Sequence, residues 1–267
     1  MVGFVPVLDA LAERARGARP LRGAFATGWI AGLAFYLTGA YWLVMLNGVA
    51  ITVPWLKYPG WLLTGAYLAL YAGLAATLAV AAHRRSGAPL ALTFAAAWMV
   101  AELLRASGDL GFPWFQPGYA LAAAVPAVQV ASLGGSGLVT ALVLAAAGLA
   151  WHAWRGRRAG GSAAGALVAL AIVVAFPFAW GAAALRAAPP TPPGAAQVVL
   201  VQPNIPGEMK WSGRHTREIL ERFDRLTTLA VGGEPAAAAI WPETATGSYL
   251  RRALDQSLFV SGLAARL

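Results

Sequence analysis

Cysteine is absent from all 267 residues, which excludes a disulfide framework, a thiolate zinc site and any cysteine nucleophile within this stretch. Charge is scarce as well. Only 12% of the residues are Asp, Glu, Lys or Arg against 59% hydrophobic, and the mean hydropathy is +0.62. Soluble domains average about 25% charged and about 45–50% apolar residues, so the composition is that of a polytopic helical membrane protein. The three histidines, His83, His152 and His215, are not spaced like metal ligands, and neither a metal nor a cofactor is expected. The net charge of +9 invites a nucleic-acid reading, but the arginines lie in short loops between apolar runs rather than along one face. Membrane topology accounts for them, and no nucleic-acid partner is expected.

Residues 1–12 are apolar but too short to cross a bilayer, which takes about 20 residues, and they run into a basic stretch from Arg14 to Arg22. A secretory leader places its basic residues before the apolar run; here they follow it. That order predicts that residues 1–23 are the cytoplasmic end of a helix that begins outside this sequence. Apolar spans follow at 24–46, 60–82, 90–106, 136–153 and 162–185, predicting five crossings within a bundle over 24–186. The basic clusters Arg14 to Arg22, His83-Arg84-Arg85 and Arg155 to Arg158 occupy alternate loops, whereas the intervening loops 47–59 and 107–125 hold only Lys57 and Asp109. By the positive-inside rule, everything after the fifth span lies outside the cytoplasm. Gly28 and Gly32 form a G-x-x-x-G pair that lets a second helix approach closely. A Pro-rich linker over 187–196 marks the boundary between the membrane part and a soluble part over 197–267.

The soluble part reads as strand, helix, strand. Residues 197–202 form a short apolar strand; over 214–230, Ile219, Leu220, Phe223, Leu226 and Leu229 recur at helical spacing, with Glu218/Arg222 and Glu221/Arg225 as i,i+4 pairs. Residues 236–240 form a second, buried strand that stops at Trp241-Pro242 and delivers Glu243 at its tip. Ligands of open α/β sheets gather at such strand ends. A carboxylate half-buried beside Trp241 suits a general base, because desolvation raises its proton affinity; a plain strand-to-loop acid is the other reading. Thr244 and Ser248, close behind it in the chain, are the hydroxyls to replace first if another nucleophile must be sought.

Glu102 and Arg105 lie three residues apart at the end of the third span and share a helix face. Charges near a membrane core are costly and usually paired, so they are expected to be mutual partners that hold the helix end and the following loop. That loop, 110–119, is rich in aromatics. Phe112, Trp114 and Tyr119 form either an interfacial belt or the wall of a lipid-entry cleft.

Three segments carry a resemblance. V-Q-P-N-I-P-x-x-x-K-W ending at Trp211 and I-W-P-E-T around Glu243 resemble the start of the nitrilase-like domain of apolipoprotein N-acyltransferases; Glu102-x-x-Arg105 followed by G-F-P-W, together with residues 32–42, resembles the membrane part of the same family. The resemblance implies a multi-pass protein of the bacterial inner membrane, with helices that hold a periplasmic αββα sandwich. It implies transfer of an acyl chain from a phospholipid donor, through a thioester, to the diacylglyceryl-cysteine of a lipoprotein acceptor. The family uses a Glu-Lys-Cys triad, of which only the glutamate carries over, as Glu243. Trp211 falls on a motif position in the loop implicated in lining the substrate pocket, and Phe112 and Trp114 are carried as substrate-binding candidates. The sequence is accordingly expected to be incomplete at both ends, and inactive by itself. Lys210, beside Glu208 in the same loop, is given no direct catalytic role by spacing alone. A membrane scaffold or transporter and a membrane-anchored nitrilase-type amidase are the competing readings; the scarcity of intramembrane charge weighs against transport, and five helices exceed what an anchor needs.

Overall fold

The computed structural model describes all residues except 1–2, 47–50, 52, 188, 190–191, 193, 233–235, 244, 247–248 and 267. Thr244 and Ser248, and four residues of the Pro-rich linker, therefore lie outside the described residues. The chain divides into two compact units, one comprising 1–46 with 53–188 and the other 189–267 with the short stretch 47–52.

Among its described residues, the first unit's regular structure is all helical. Its helices are α1 (Phe4–Arg16), α2 (Pro20–Gly39), α3 (Lys57–Ser86), α4 (Leu90–Arg105), the single turn α5 (Val125–Val128), α6 (Ala131–Arg158) and α7 (Ala164–Arg186). Pro20 opens α2 at its first turn, where the missing N–H costs nothing, and Gly87 ends α3 in the left-handed conformation that a Cβ disfavours. Among the described residues, four segments are long and apolar enough to cross a membrane: Pro20–Met45, Pro54–Ser86, Ala131–Arg158 and Ala164–Arg186. The expected third span forms the helix α4 with nearly the expected bounds but falls short of membrane-crossing length. As α4 it has 16 residues, or roughly 24 Å of rise against a hydrocarbon core of about 30 Å. Within the segment expected as the tail of a preceding helix, Phe4–Arg16 is helical as α1, and its Leu8 and Leu11 are fully buried in the bundle.

Close packing follows from small residues. A Cβ on Gly28 or Gly32 would lie 2.5 or 2.6 Å from the Ala76 or Ala72 methyl of α3, so the two glycines let α2 and α3 meet backbone to backbone. The α3 face that receives them is built from Ala69, Ala72, Ala75 and Ala76, all buried. Other faces stay apolar but bare: Ile172 and Val168 of α7 are 63% and 61% exposed, which suits lipid rather than water. Helix α6 breaks at Gly134–Gly135, where Gly135 takes a positive φ, and is regular beyond it.

The second unit holds β1 (Val198–Leu200), α8 (Gly207–Trp211), α9 (Thr216–Val231), β2 (Ala238–Ile240) and α10 (Leu254–Arg266). The strands pair in parallel with Val199 opposite Ala239, and α9 is the crossover between them. Ile219 and Phe223 of α9 bury against Val201 on one face of this sheet. The expectation of a buried second strand is corrected here. All of β2 is exposed, with Ile240 at 52%, because α9 covers one face only of a two-stranded sheet. The ion pairs on α9 also take another register from the one expected. Arg217 pairs with Glu221 at 2.8 Å and the His215 ring nitrogen lies 3.0 Å from Glu218, which sits in the first turn, where the macrodipole favours it.

Candidate functional site

Among the described residues of the first unit, the buried charged side chains lie at the C-terminal end of α4. Glu102 and Arg105 are 5% and 1% exposed. Their closest approach, Arg105 Nη2 to Glu102 Oε1, is 3.9 Å, the outer limit of an ion pair. The stronger bonds go elsewhere. Trp98 Nε1 donates to Glu102 Oε1 at 3.0 Å from one turn earlier, and Arg105 Nη1 donates to the backbone carbonyls of Phe112 and Trp114. The Phe112 amide returns a bond to the Arg105 carbonyl at 2.7 Å. Arg105 therefore clamps the loop through its backbone, and the Tyr36 ring of α2 packs 5.6 Å from its guanidinium.

The clamp displays a cluster of rings. Phe112 lies 5.5 Å from Trp114 and 5.9 Å from Phe115, while Trp114 meets Trp42 at 5.6 Å. Phe115 adopts φ 62°, a conformation rare for an aromatic residue, and its ring occupies the space a Cβ would take at Gly39. Phe115 was not among the sequence-predicted residues; the signal for it was Gly39, whose missing side chain makes room for the ring. Trp114 is half-exposed and Phe112 half-buried, so the cluster offers a partly open apolar surface held by a buried cation.

In the second unit, Trp241 anchors the end of β2. Its ring stacks on Phe223 at 4.3 Å, and its Nε1 donates to Thr227 Oγ1 at 3.0 Å; Thr227 in turn donates to the Phe223 carbonyl at 2.6 Å. Pro242 ends the ladder and Glu243 follows, exposed. It is not half-buried as expected, since Trp241 turns away under α9 instead of covering the carboxylate. The loop after β1 comes back to the same point: Asn204 takes φ 51° in reversing the chain, α8 follows, and Lys210 Nζ donates to the Glu243 carbonyl at 3.2 Å. Lys210 also lies 5.6 Å from the ring of Trp211, which is itself 53% exposed. Glu243, Lys210 and Trp211 thus gather at the C-terminal ends of the parallel strands. Spacing in sequence had separated Lys210 from Glu243; the crossover unites them.

Residues 1–149 match the family model described as the apolipoprotein N-acyltransferase N-terminal domain. The chain belongs to the apolipoprotein N-acyltransferase family. Among relatives bearing that name, the protein of Caulobacter vibrioides is 35% identical over 97% of this chain and 49% of its own length. That of Chromobacterium violaceum is 37% identical over 87% of this chain and 43% of its own, and that of Geobacter metallireducens is 29% identical over 100% and 50%. The chain spans about half the length of these relatives. With bacterial apolipoprotein N-acyltransferases as relatives and four apolar helices of membrane-crossing length, it is a bacterial membrane protein.

Proposed function

We propose that this chain supplies the membrane bundle and the first βαβ unit of a nitrilase-like αββα domain to an enzyme that moves an acyl chain from a phospholipid to the diacylglyceryl-cysteine of a lipoprotein. The carrying observation is that one chain joins a bundle matching the family's N-terminal domain to a parallel strand pair ending in Trp241-Pro242-Glu243. Glu243 acts as general base on a thiol, and the acyl group passes through a thioester. The chain has no cysteine, so the thiol, like the lysine of the triad, comes from outside these 267 residues. Trp211 lines the pocket, and Phe112 and Trp114 guide lipid tails at the membrane surface.

In topology, the basic ends of α1, α3 and α6 face the cytoplasm, and the aromatic loop and second unit face the periplasm of the inner membrane. The short helix α4 then carries the chain back across, because alternation of the basic clusters requires a crossing between Arg85 and Trp114. Both substrates are membrane-anchored, which gives a reason to join a soluble catalytic fold to a bundle.

The test joins or co-expresses these residues with a cysteine-bearing remainder of the enzyme. Glu243→Gln should abolish thioester formation from labelled phospholipid while leaving membrane insertion intact. Undiminished thioester would remove Glu243 from the mechanism.

A further inference from the structure

One end of the bundle gathers nine arginines, from residues 14–22, 84–85 and 155–158. Four contacts bring these segments together. Arg84 Nη1 donates to the Ala15 carbonyl at 2.6 Å, Asp9 of α1 forms an ion pair with Arg155 Nε at 3.5 Å and accepts from Trp151 Nε1 at 3.3 Å, and the aliphatic part of Arg14 lies against Gly23 of α2. Against nine guanidinium groups stand two carboxylates, Asp9 and Glu13, a balance of +7. Of these nine, all within the described residues, Arg155 alone has a carboxylate within ion-pair distance. Membrane orientation needs a bias of charge between loops, but it does not need so many cations left unneutralised on one surface.

Two features place this charge at headgroup depth. Arg158 lies 4.3 Å from the ring of Trp154 and Arg155 5.3 Å from that of Trp151, so the last turns of a membrane-length helix alternate indole and guanidinium, as side chains at an apolar-polar boundary do. Beside Trp154, between α1 and α6, runs an open groove of about 400 Å³ with Val5, Pro6 and Ala10 on its floor. Asp9, which also lines it, is neutralised by Arg155, leaving Glu13 as its single unpaired acid.

We propose that this end of the bundle is a docking surface for anionic phospholipid headgroups, with the phosphate at Arg158 and its neighbours and an acyl chain lying along the groove beside Trp154. Phosphodiester anions complement the +7 balance, and a lipid also fills the apolar floor that a soluble anion leaves bare. The inference does not depend on the acyl-transfer reading.

The purified chain in mild detergent is given equal amounts of phosphatidylglycerol and phosphatidylcholine with the same acyl chains, and the lipid it retains is counted by native mass spectrometry. Phosphatidylglycerol should be retained over phosphatidylcholine by about tenfold or more. The exposed-site variant R16Q/R85Q/R157Q/R158Q should bring that ratio near one, while R251Q/R252Q, in the second unit, should leave it unchanged. Raising salt to about 0.5 M should weaken the preference in the unaltered chain, a readout that needs no variant. Equal retention of the two lipids, or an equal loss in R251Q/R252Q, overturns the proposal. So does displacement of the lipid by inorganic phosphate alone, which would make this a free-anion site, or by a short DNA duplex, which would make it a nucleic-acid surface.

Discussion

Lys210 Nζ donates a hydrogen bond of 3.2 Å to the backbone carbonyl of Glu243, tying the loop that carries Trp211 to the tip of β2. One flexible side chain thereby spans two segments that are adjacent only because α9 crosses over between parallel strands. In the thiol-supplying enzyme proposed above, Lys210→Met should slow acylation by about tenfold through loss of positioning. Because the contact is exposed, the cost in unit stability should stay below about 1 kcal/mol. Lys210→Arg, which keeps a donor, should recover most of the rate. A K210M enzyme as fast as the parent would show that the bond holds nothing the reaction uses.

The buried charges at the end of α4 should be unequal in weight. Arg105→Ala frees two loop carbonyls and strands Glu102, and should cost about 3 kcal/mol or more, read as a fall in thermal midpoint in detergent. Glu102→Gln keeps an oxygen for Trp98 Nε1 and should cost about 1 kcal/mol. In a double-mutant cycle, E102A with R105A should hurt less than the sum of the two. Strict additivity would mean that the 3.9 Å pair carries no coupling.

Gly28→Leu should disrupt the α2–α3 contact and reduce the yield of folded protein, since even a Cβ there meets the Ala72 carbonyl oxygen at 2.6 Å. Gly28→Ala should cost about 1–3 kcal/mol. Gly165→Ala in α7, where nothing lies within 4 Å, should be neutral or slightly stabilising. Thermal unfolding of the three variants side by side gives the comparison.

Trp241→Ala should release the end of β2 from α9. Loss of the stacked ring is worth about 2–3 kcal/mol at this half-buried site, and hydrogen exchange of the β1 and β2 amides should accelerate accordingly. Thr227→Ala removes only the oxygen that receives the indole N–H and should cost about 1 kcal/mol. Exchange unaltered in Trp241→Ala would place the stability of the sheet elsewhere.

The absence of cysteine makes topology simple to map with single introduced thiols. Cysteines replacing Arg84 and Arg157 should react with a membrane-impermeant maleimide only in inside-out vesicles, and those replacing Trp114 and Glu243 only in intact spheroplasts. A thiol at position 157 labelled in spheroplasts would reverse the proposed orientation.

The sequence by itself determined what depends on neighbours along the chain. Apolar runs and scarce charge declare a membrane bundle, the Gly28/Gly32 spacing declares a close helix contact, and the alternation of strand and helix periodicity after residue 196 declares a βαβ unit; each is a property of a window of residues, so it can be read without coordinates. The tertiary structure decided the partners. Glu102 and Arg105 were paired from their spacing, yet the strong bonds of Arg105 run to carbonyls of a loop whose path the spacing does not determine. The exposure of β2 and of Glu243 likewise depended on how many layers cover the sheet, which a strand's own residues do not state. Lys210 reaches Glu243 across 33 residues because two parallel strands end side by side, and a hydrogen bond is governed by distance in space, not along the chain.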